Sequence, residues 1–172
     1  MSKEALFNIL NNRFEFDGLK VLDLFSGTGN LSYEFGSRGA VAITSVDGDF
    51  GCVRFIKKTA AGFDFPITAV KSDVYKFLAG HKAVYDIIVA DPPYNFTQEQ
   101  FDEIVSLVFE NELLSEDGMM IIEHSKYTKM QHLMNFSFDK KYGGSIFSFF
   151  EFDKDESEEP LGYDVDSEDD EI

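Results

Sequence analysis

Short apolar runs alternate with amphipathic segments along most of this sequence. The first run, Lys20–Phe25, lacks a clean in-out alternation, which is typical of a strand covered on both faces. Strands and helices that alternate with short links favour a parallel sheet between two layers of helices. The predicted strands are 20–25, 42–46, 67–70, 85–90 and 119–123, and the predicted helices are 2–12, 30–38, 50–61, 74–78 and 98–109.

The pattern changes near the end, where two aromatic-rich runs flank Gly143-Gly144. These runs are Phe136–Tyr142 and Ser145–Phe152. Two glycines between β-forming runs are typical of a tight hairpin. The sequence therefore predicts one α/β domain over residues 1–152, with a mostly parallel sheet that is closed by an antiparallel C-terminal hairpin.

Most of the negative charge lies after that domain. The formal net charge is −17, and 12 of the 32 acids but one of the 15 bases lie between Glu151 and Ile172. We expect a flexible acidic tail over residues 153–172, because it offers little to bury and its charges repel one another. A solubilising role and a docking role both remain open for it.

The predicted domain that precedes the tail is also acidic, which disfavours a broad phosphate-binding surface. A local basic patch would have to come from a few lysines, and an ordinary solvated surface is the alternative for each of them. These lysines are Lys57, Lys58, Lys126, Lys129, Lys140 and Lys141.

Other features set the expected compartment. The sequence has no apolar run that could span a bilayer and no basic segment leading into an apolar one at its start. Cys52 has no partner for an internal disulfide, so we expect a reducing cytoplasm. We also expect a monomer. His81, His124 and His132 lack metal-ligand spacing, and no metal is predicted.

The loop after the first predicted strand carries two glycines. Ligands of open α/β sheets bind beyond the carboxyl ends of the strands, and Gly27 and Gly29 would let the backbone approach a ligand. The loop departs from a dinucleotide fingerprint because Ser32 replaces its third glycine and Asp23 stands within the strand. That carboxylate would repel a pyrophosphate and attract an ammonium group. A turn that binds nothing is the alternative.

Two further acids follow the next two predicted strands. Asp47 lies 18 residues beyond Gly29, where a carboxylate can accept both hydroxyls of a ribose. Asp73 lies where the base of a nucleoside would bind, although it could equally cap the helix that begins at Val74. Three acids and a glycine loop together indicate a cationic nucleoside that carries an amino acid, which describes S-adenosylmethionine.

The fourth predicted strand ends in Asp91-Pro92-Pro93-Tyr94. Two prolines stiffen this turn and hold its carbonyl groups at set angles. An exocyclic amine of a nucleobase is a poor nucleophile, and the Asp91 carboxylate and the Pro92 carbonyl would improve it by accepting its N–H groups. Tyr94 would stack on the base. A stiff turn whose tyrosine packs on the domain is the alternative.

These motifs resemble those of the RsmD family of 16S ribosomal RNA guanine-N2 methyltransferases. The resemblance covers about residues 2–125 and rests on KEALFNIL, DLFSGTGNLSYEFGSRGA, VDGD and VADPPY. It implies a class I methyltransferase fold, which is a Rossmann-like three-layer sandwich, with a catalytic loop at Asp91, Pro92, Pro93 and Tyr94. The cofactor contacts that it implies are Asp23, Phe25, Gly27, Gly29, Asp47, Asp73 and Val74.

We therefore expect methyl transfer from S-adenosylmethionine to guanine N2, with 16S rRNA or the small ribosomal subunit as the partner. Two alternatives remain. One is adenine-N6 methylation of DNA or RNA, since the Asp91–Tyr94 loop suits either amine. The other is a partner subunit that binds the cofactor without catalysis.

Overall fold

The computed structural model describes residues 3–153, so the predicted acidic tail beyond residue 153 lies outside the described residues. No helix within this range is both long and apolar enough to cross a membrane. The helices are α1 (Lys3–Asn11), α2 (Asn30–Ser37), α3 (Phe50–Phe63), α4 (Val74–Gly80) and α5 (Gln98–Glu110). The strands are β1 (Lys20–Leu24), β2 (Ala42–Asp47), β3 (Ile67–Lys71), β4 (Tyr85–Ala90), β5 (Leu114–His124), β6 (Phe136–Tyr142) and β7 (Ser145–Phe150).

All seven strands form one sheet in the order β3-β2-β1-β4-β5-β7-β6. Strands β1 to β5 pair in parallel, and β7 inserts antiparallel between β5 and β6. The predicted parallel sheet with an antiparallel C-terminal hairpin is therefore confirmed. Because the parallel strands point the same way, their carboxyl ends meet along one edge of the sheet.

The two faces of the sheet carry separate hydrophobic cores. On β1, Val21 belongs to the core beneath α1 and α2, while its neighbour Leu22 belongs to the core beneath α4 and α5. Both side chains are fully buried. Successive strand residues point to opposite faces, so a strand with helices on both sides must be apolar at nearly every position. This explains why β1 shows no in-out alternation in the sequence.

Strand β5 begins five residues earlier than predicted, at Leu114 rather than Met119. The polar segment Ser115–Gly118 is typical of a turn, but here the backbone continues in strand conformation through an irregularity in its pairing with β4. Tyr85 of β4 pairs with Leu114, and Ile87 pairs with Met119. A Cβ atom at Gly118 would lie 2.8 Å from the Asp86 carbonyl oxygen. Strand pairing therefore overrides the local preference of this segment.

Aromatic pairs across the hairpin strands stabilise its packing on the sheet. Phe138 of β6 stacks on Phe149 of β7 with ring centroids 4.4 Å apart and planes at 8°. Phe136 meets Phe150 edge to face at 5.8 Å. Such cross-strand pairs add to the free energy gained by burying the rings.

Phe149→Ala should lower the free energy of unfolding by about 3–5 kcal/mol, because it leaves a cavity at a fully buried position. Urea denaturation followed by circular dichroism measures the change. The matched control is Phe63→Ala on α3, where the ring is 69% exposed and the expected loss is below about 1 kcal/mol. Equal losses in the two variants would contradict this assignment of the core.

Candidate active site

A cavity of about 570 Å³ lies at the carboxyl edge of the parallel strands. The residues that line it come from the ends of four strands and from the segments that follow them. They are Phe25 after β1, Asp47 and Gly48 at the end of β2, Ser72, Asp73 and Val74 after β3, and Asp91, Pro92, Pro93 and Tyr94 after β4. The fold thus brings together eight of the eleven residues predicted for the site, and Asp23, Gly27 and Gly29 are absent from this lining.

Two backbone N–H groups of the loop after β1 donate hydrogen bonds to β2. Ser26 N–H donates to the Val46 carbonyl at 3.0 Å, and Gly27 N–H donates to Asp47 Oδ2 at 2.9 Å. Phe25, which opens the loop, has φ of 58°, a left-handed conformation that a bulky residue rarely adopts. Backbone strain of this kind is typical of functional sites.

The two glycines of this loop meet different surroundings. Gly29 has φ of +92°, and a Cβ atom there would lie 2.7 Å from the Tyr33 ring and 3.0 Å from Ile56. Gly27 has φ of +55°, and no atom lies within 4 Å of the corresponding position. Gly29 therefore serves the close packing of α2 and α3, while Gly27 leaves open space beside the loop.

Asp47 connects the loops that follow β1 and β2. Its Oδ2 accepts the Gly27 N–H, and its Oδ1 accepts the Asp49 N–H at 2.8 Å. Asp49 in turn caps α3 by accepting the Cys52 N–H at 2.8 Å. The carboxylate of Asp47 is thus fixed in orientation by two backbone donors while its residue lines the cavity.

Asp23 is enclosed in the protein, with 2% of its surface exposed. It accepts a hydrogen bond from Ser32 Oγ at 2.6 Å, and Ser32 Oγ lies 2.5 Å from Ser45 Oγ. Burial raises the pKa of Asp23 to about 7, although the hydrogen bonds from Ser32 act to lower it. The nearby Asp91 and Asp47 carboxylates raise this pKa further. A direct contact between Asp23 and a ligand stays a prediction.

Asp73 performs the capping role that the sequence left open. Its Oδ1 accepts the Lys76 N–H at 3.1 Å at the start of α4. It lines the cavity as well, together with the first helical residue, Val74. One carboxylate therefore both begins a helix and faces the site, so the two interpretations are compatible.

The Asp91–Tyr94 loop forms part of the cavity wall. Both prolines follow trans peptide bonds, and Phe96 N–H donates to the Pro93 carbonyl at 3.0 Å. Tyr94 is 93% exposed, so the alternative in which this ring packs on the domain is wrong. The stiff turn presents a free aromatic ring at the mouth of the cavity.

Aromatic packing and helix capping stabilise the residues that follow this loop. Phe96 meets Phe25 edge to face at 5.6 Å and stacks with Tyr75 at 6.4 Å. Thr97 and Gln100 then form a reciprocal capping box at the start of α5. Aromatic contacts therefore fix the residue Phe96 that follows the loop, and the capping box fixes the start of α5.

Sequence reasoning missed Glu123, which lies beside Asp91. Ala90 pairs with Ile122 in the parallel sheet, so the next residues on the two strands come together at the cavity edge. Glu123 Oε2 is buried and has no hydrogen-bond partner among the described residues. Loss of hydration raises the pKa of Asp91 to about 6, and the Glu123 carboxylate contributes to that rise.

The histidines take structural positions. Within residues 3–153, no group of three or more His, Cys, Asp or Glu side chains is arranged to hold a metal ion. His81 lies 2.6 Å from the Tyr85 hydroxyl, and His124 lies 2.6 Å from Ser148 Oγ. His132 pairs with Asp102 at 3.0 Å.

The candidate lysines do not form one surface. Lys57–Lys58 lie on α3, which packs against β2 and β3, while Lys140–Lys141 lie on β6 at the far edge of the sheet. Strands spaced about 4.8 Å apart separate these two pairs by roughly 25–30 Å. Lys126 and Lys129 follow β5, which is the direct neighbour of β4 in the sheet.

Comparisons with known proteins agree with this arrangement. The family model described as conserved hypothetical protein 95 matches residues 1–151. The chain belongs to this family. YlbH of Bacillus subtilis, named as a candidate rRNA methyltransferase, is 30% identical over 133 residues, which cover 74% of this chain and 70% of YlbH.

Ribosomal RNA small subunit methyltransferase D of Buchnera aphidicola is 28% identical over 122 residues. The match covers 70% of this chain and 61% of that protein. Together with the family model and YlbH, it confirms the resemblance to the RsmD family.

A solved structure confirms the predicted fold class. RsmC of Thermus thermophilus, a 16S rRNA N2 methyltransferase solved in complex with AdoMet and guanosine, superposes with a TM-score of 0.70 at 24% identity. The match covers 86% of this chain and 42% of RsmC. The chain has the class I methyltransferase fold.

Gly29→Ala should lower the free energy of unfolding by about 3 kcal/mol. The new Cβ atom must displace Tyr33 and Ile56, and the alanine backbone must adopt a left-handed φ. Gly27→Ala, the matched control, should cost about 1 kcal/mol for the backbone conformation alone. Urea denaturation of both variants checks the difference. A larger loss for Gly27→Ala would show that the two surroundings are assigned the wrong way round.

The Asp91 carboxyl should titrate with a midpoint near pH 6. Glu123→Gln should lower that midpoint, because a neutral amide no longer favours the protonated form of Asp91. Carbon-13 NMR of labelled aspartate side chains measures the titration. Glu116→Gln, at the opposite end of β5, is the control and should leave it unchanged. An Asp91 midpoint near 4 in the unmodified protein would contradict the account of this pair.

Proposed function

We propose that this protein transfers a methyl group from S-adenosylmethionine to an exocyclic amine of a base in ribosomal RNA. The specific target that we propose is N2 of a guanine in 16S rRNA. One observation carries the proposal: the Asp91–Tyr94 loop, whose Tyr94 ring is exposed, shares a single cavity with Asp47 and Asp73. A donor held by the two acids and an acceptor held by the loop would therefore lie in the same space.

The residues of the cavity fit the proposed cofactor. A volume of about 570 Å³ lies within the range of about 300–1,000 Å³ that small-molecule sites occupy. Three carboxyl groups of the lining, those of Asp47, Asp73 and Asp91, favour a ligand that carries a sulfonium and an ammonium group. When bound, S-adenosylmethionine supplies an electrophilic methyl group on a positively charged sulfur.

Residues near the glycine loop would orient that cofactor. Asp47 would accept the ribose hydroxyls, and its carboxylate is already held in place by the Gly27 and Asp49 amides. Asp73 and the Val74 backbone would border the base, and Phe25 would close the side of the cavity next to β1. Gly27 offers the open space that a close backbone contact requires.

The loop after β4 would hold the amine. The ionised Asp91 carboxylate is a pure acceptor, and the Pro92 carbonyl is a second acceptor on the same loop. The amine loses one proton when it gains the methyl group, and Asp91 would take that proton. Tyr94 would stack on the base, which contributes about 1–3 kcal/mol in single-strand recognition.

The named relatives support ribosomal RNA as the substrate. Both the YlbH and the Buchnera names refer to rRNA methylation, and the Buchnera name specifies the small subunit. The solved RsmC complex pairs AdoMet with guanosine on the same fold. We therefore propose the small ribosomal subunit or its 16S rRNA as the partner, and a monomeric enzyme that acts in the cytoplasm, where the free Cys52 would stay reduced.

Asp91→Asn should reduce methyl transfer at least about 100-fold and lower cofactor affinity far less, since it removes the charged acceptor, keeps the shape of the loop and leaves the Asp47 and Asp73 carboxylates in place. The assay incubates the protein with radiolabelled S-adenosylmethionine and small ribosomal subunits that lack the modification, and calorimetry measures the affinity. Asp47→Asn is the matched variant and should instead weaken cofactor binding. Undiminished turnover by Asp91→Asn would remove this carboxylate from the mechanism.

Digestion of the labelled RNA to nucleosides identifies the target atom. N2-methylguanosine is the expected product, and N6-methyladenosine would replace the guanine assignment by adenine methylation. Cofactor binding without label on ribosomal subunits, free rRNA or DNA would contradict the enzymatic function and favour a non-catalytic partner subunit.

A further inference from the structure

A second surface lies on the β5–β6 loop (residues 125–135), at the same edge of the sheet as the cavity. It begins where β5 ends, and β5 is the direct neighbour of β4 in the sheet. Tyr94 lies three residues beyond Asp91, and Tyr127 lies four residues beyond Glu123. Since Asp91 and Glu123 are adjacent at the ends of these strands, both tyrosines emerge from the same edge of the sheet.

The β5–β6 loop is anchored to the helix that follows the Asp91–Tyr94 loop. Gln98 Nε2 donates to the Lys129 carbonyl at 2.5 Å, and Lys129 N–H donates to Gln98 Oε1 at 2.8 Å. Gln98 is the first residue of α5. Met130 is fully buried in the core beneath α5, and His132 pairs with Asp102 on that helix. The loop therefore holds a fixed position relative to the cavity mouth.

This anchored loop presents an aromatic ring and two cations to solvent. Tyr127 is 80% exposed, and Lys126 Nζ lies 5.2 Å from the centre of its ring. Lys129 Nζ donates to the Lys126 carbonyl at 3.2 Å, which keeps the two lysines together. Neither lysine forms an ion pair within residues 3–153, and both side chains are exposed.

These features match one kind of partner. An exposed ring accepts any base by stacking, and nearby cations attract the phosphates on either side of it. The rest of the protein carries a large excess of acids, so two exposed lysines that form no ion pair within residues 3–153 are a local site of attraction for a polyanion. A duplex would hide its base faces, whereas single-stranded RNA exposes them.

We propose that the β5–β6 loop docks the single-stranded RNA that flanks the target nucleotide, with Tyr127 stacked on a flanking base and Lys126 and Lys129 beside its phosphates. This proposal rests on the proposed function, because it names the surface that delivers the RNA to the same cavity. Tyr94 then stacks on the target base, and Tyr127 stacks on a base next to it.

The test measures binding of a short fluorescein-labelled oligouridine RNA with a central guanine, by anisotropy over a range of salt concentrations. Tyr127→Ala should weaken binding about 5- to 100-fold, and Tyr127→Phe should retain it, because stacking needs only the ring. Lys126→Ala with Lys129→Ala should reduce the slope of log affinity against log salt by about 1.4, at about 0.7 per phosphate contact. Lys140→Ala on β6 is the control and should change neither quantity.

Wild-type affinity and salt slope in both Tyr127→Ala and the double lysine variant would overturn the proposal. Failure of the unmodified protein to bind the oligonucleotide, or equal binding of an RNA duplex, would overturn it as well. Methyl transfer to small ribosomal subunits is measured separately. A protein that needs Tyr127 to bind RNA but transfers no label would support the docking surface and contradict the proposed enzyme.

Discussion

Strand β1 pairs in parallel with β2 on one side and with β4 on the other, and the cavity depends on this double pairing. Leu24, the last residue of β1, lies opposite Val46 and opposite Ala90. The residues that follow these three positions are Phe25, Asp47 and Asp91, so they emerge side by side. Segments that are far apart in sequence thus line one cavity. Phe25 and Asp47 would contact the proposed cofactor, and Asp91 would contact the amine.

This convergence concentrates acids at one edge of the sheet. Backbone amides from Gly27 and Asp49 stabilise Asp47, and the Ser32 hydroxyl stabilises Asp23. The stabilisation is incomplete, because the pKa of Asp23 is raised to about 7 and that of Asp91 to about 6, chiefly by burial and further by neighbouring carboxylates. A cationic ligand would relieve this repulsion, so the electrostatics of the protein and the charge of the proposed cofactor are complementary.

Most of the cavity could be predicted because its residues directly follow strands that are visible as apolar runs. Asp47 and Asp91 are of this kind, since the end of a parallel strand fixes which edge a residue reaches. Glu123 could not be predicted, because its proximity to Asp91 depends on the register between β4 and β5. That register includes an irregularity at Tyr85, which the local sequence does not encode.

Three-dimensional packing also distinguishes residues that look alike in the sequence. The two glycines of the β1 loop are alike in sequence, and only the positions of Tyr33 and Ile56 separate their roles. Lysines that looked equivalent lie at opposite edges of the sheet, and those of the β5–β6 loop gain their position from Gln98. Tyr94 is likewise exposed on a loop whose next residues, Phe96 and Thr97, are held by aromatic packing and helix capping.

The most direct measurement is a crystal structure with a cofactor analogue in which an amine replaces the sulfonium methyl group. We expect the ribose hydroxyls within hydrogen-bond distance of Asp47 and the amine directed towards Asp91 and the Pro92 carbonyl. An analogue bound outside this cavity, or one whose amine points away from the Asp91–Tyr94 loop, would contradict it.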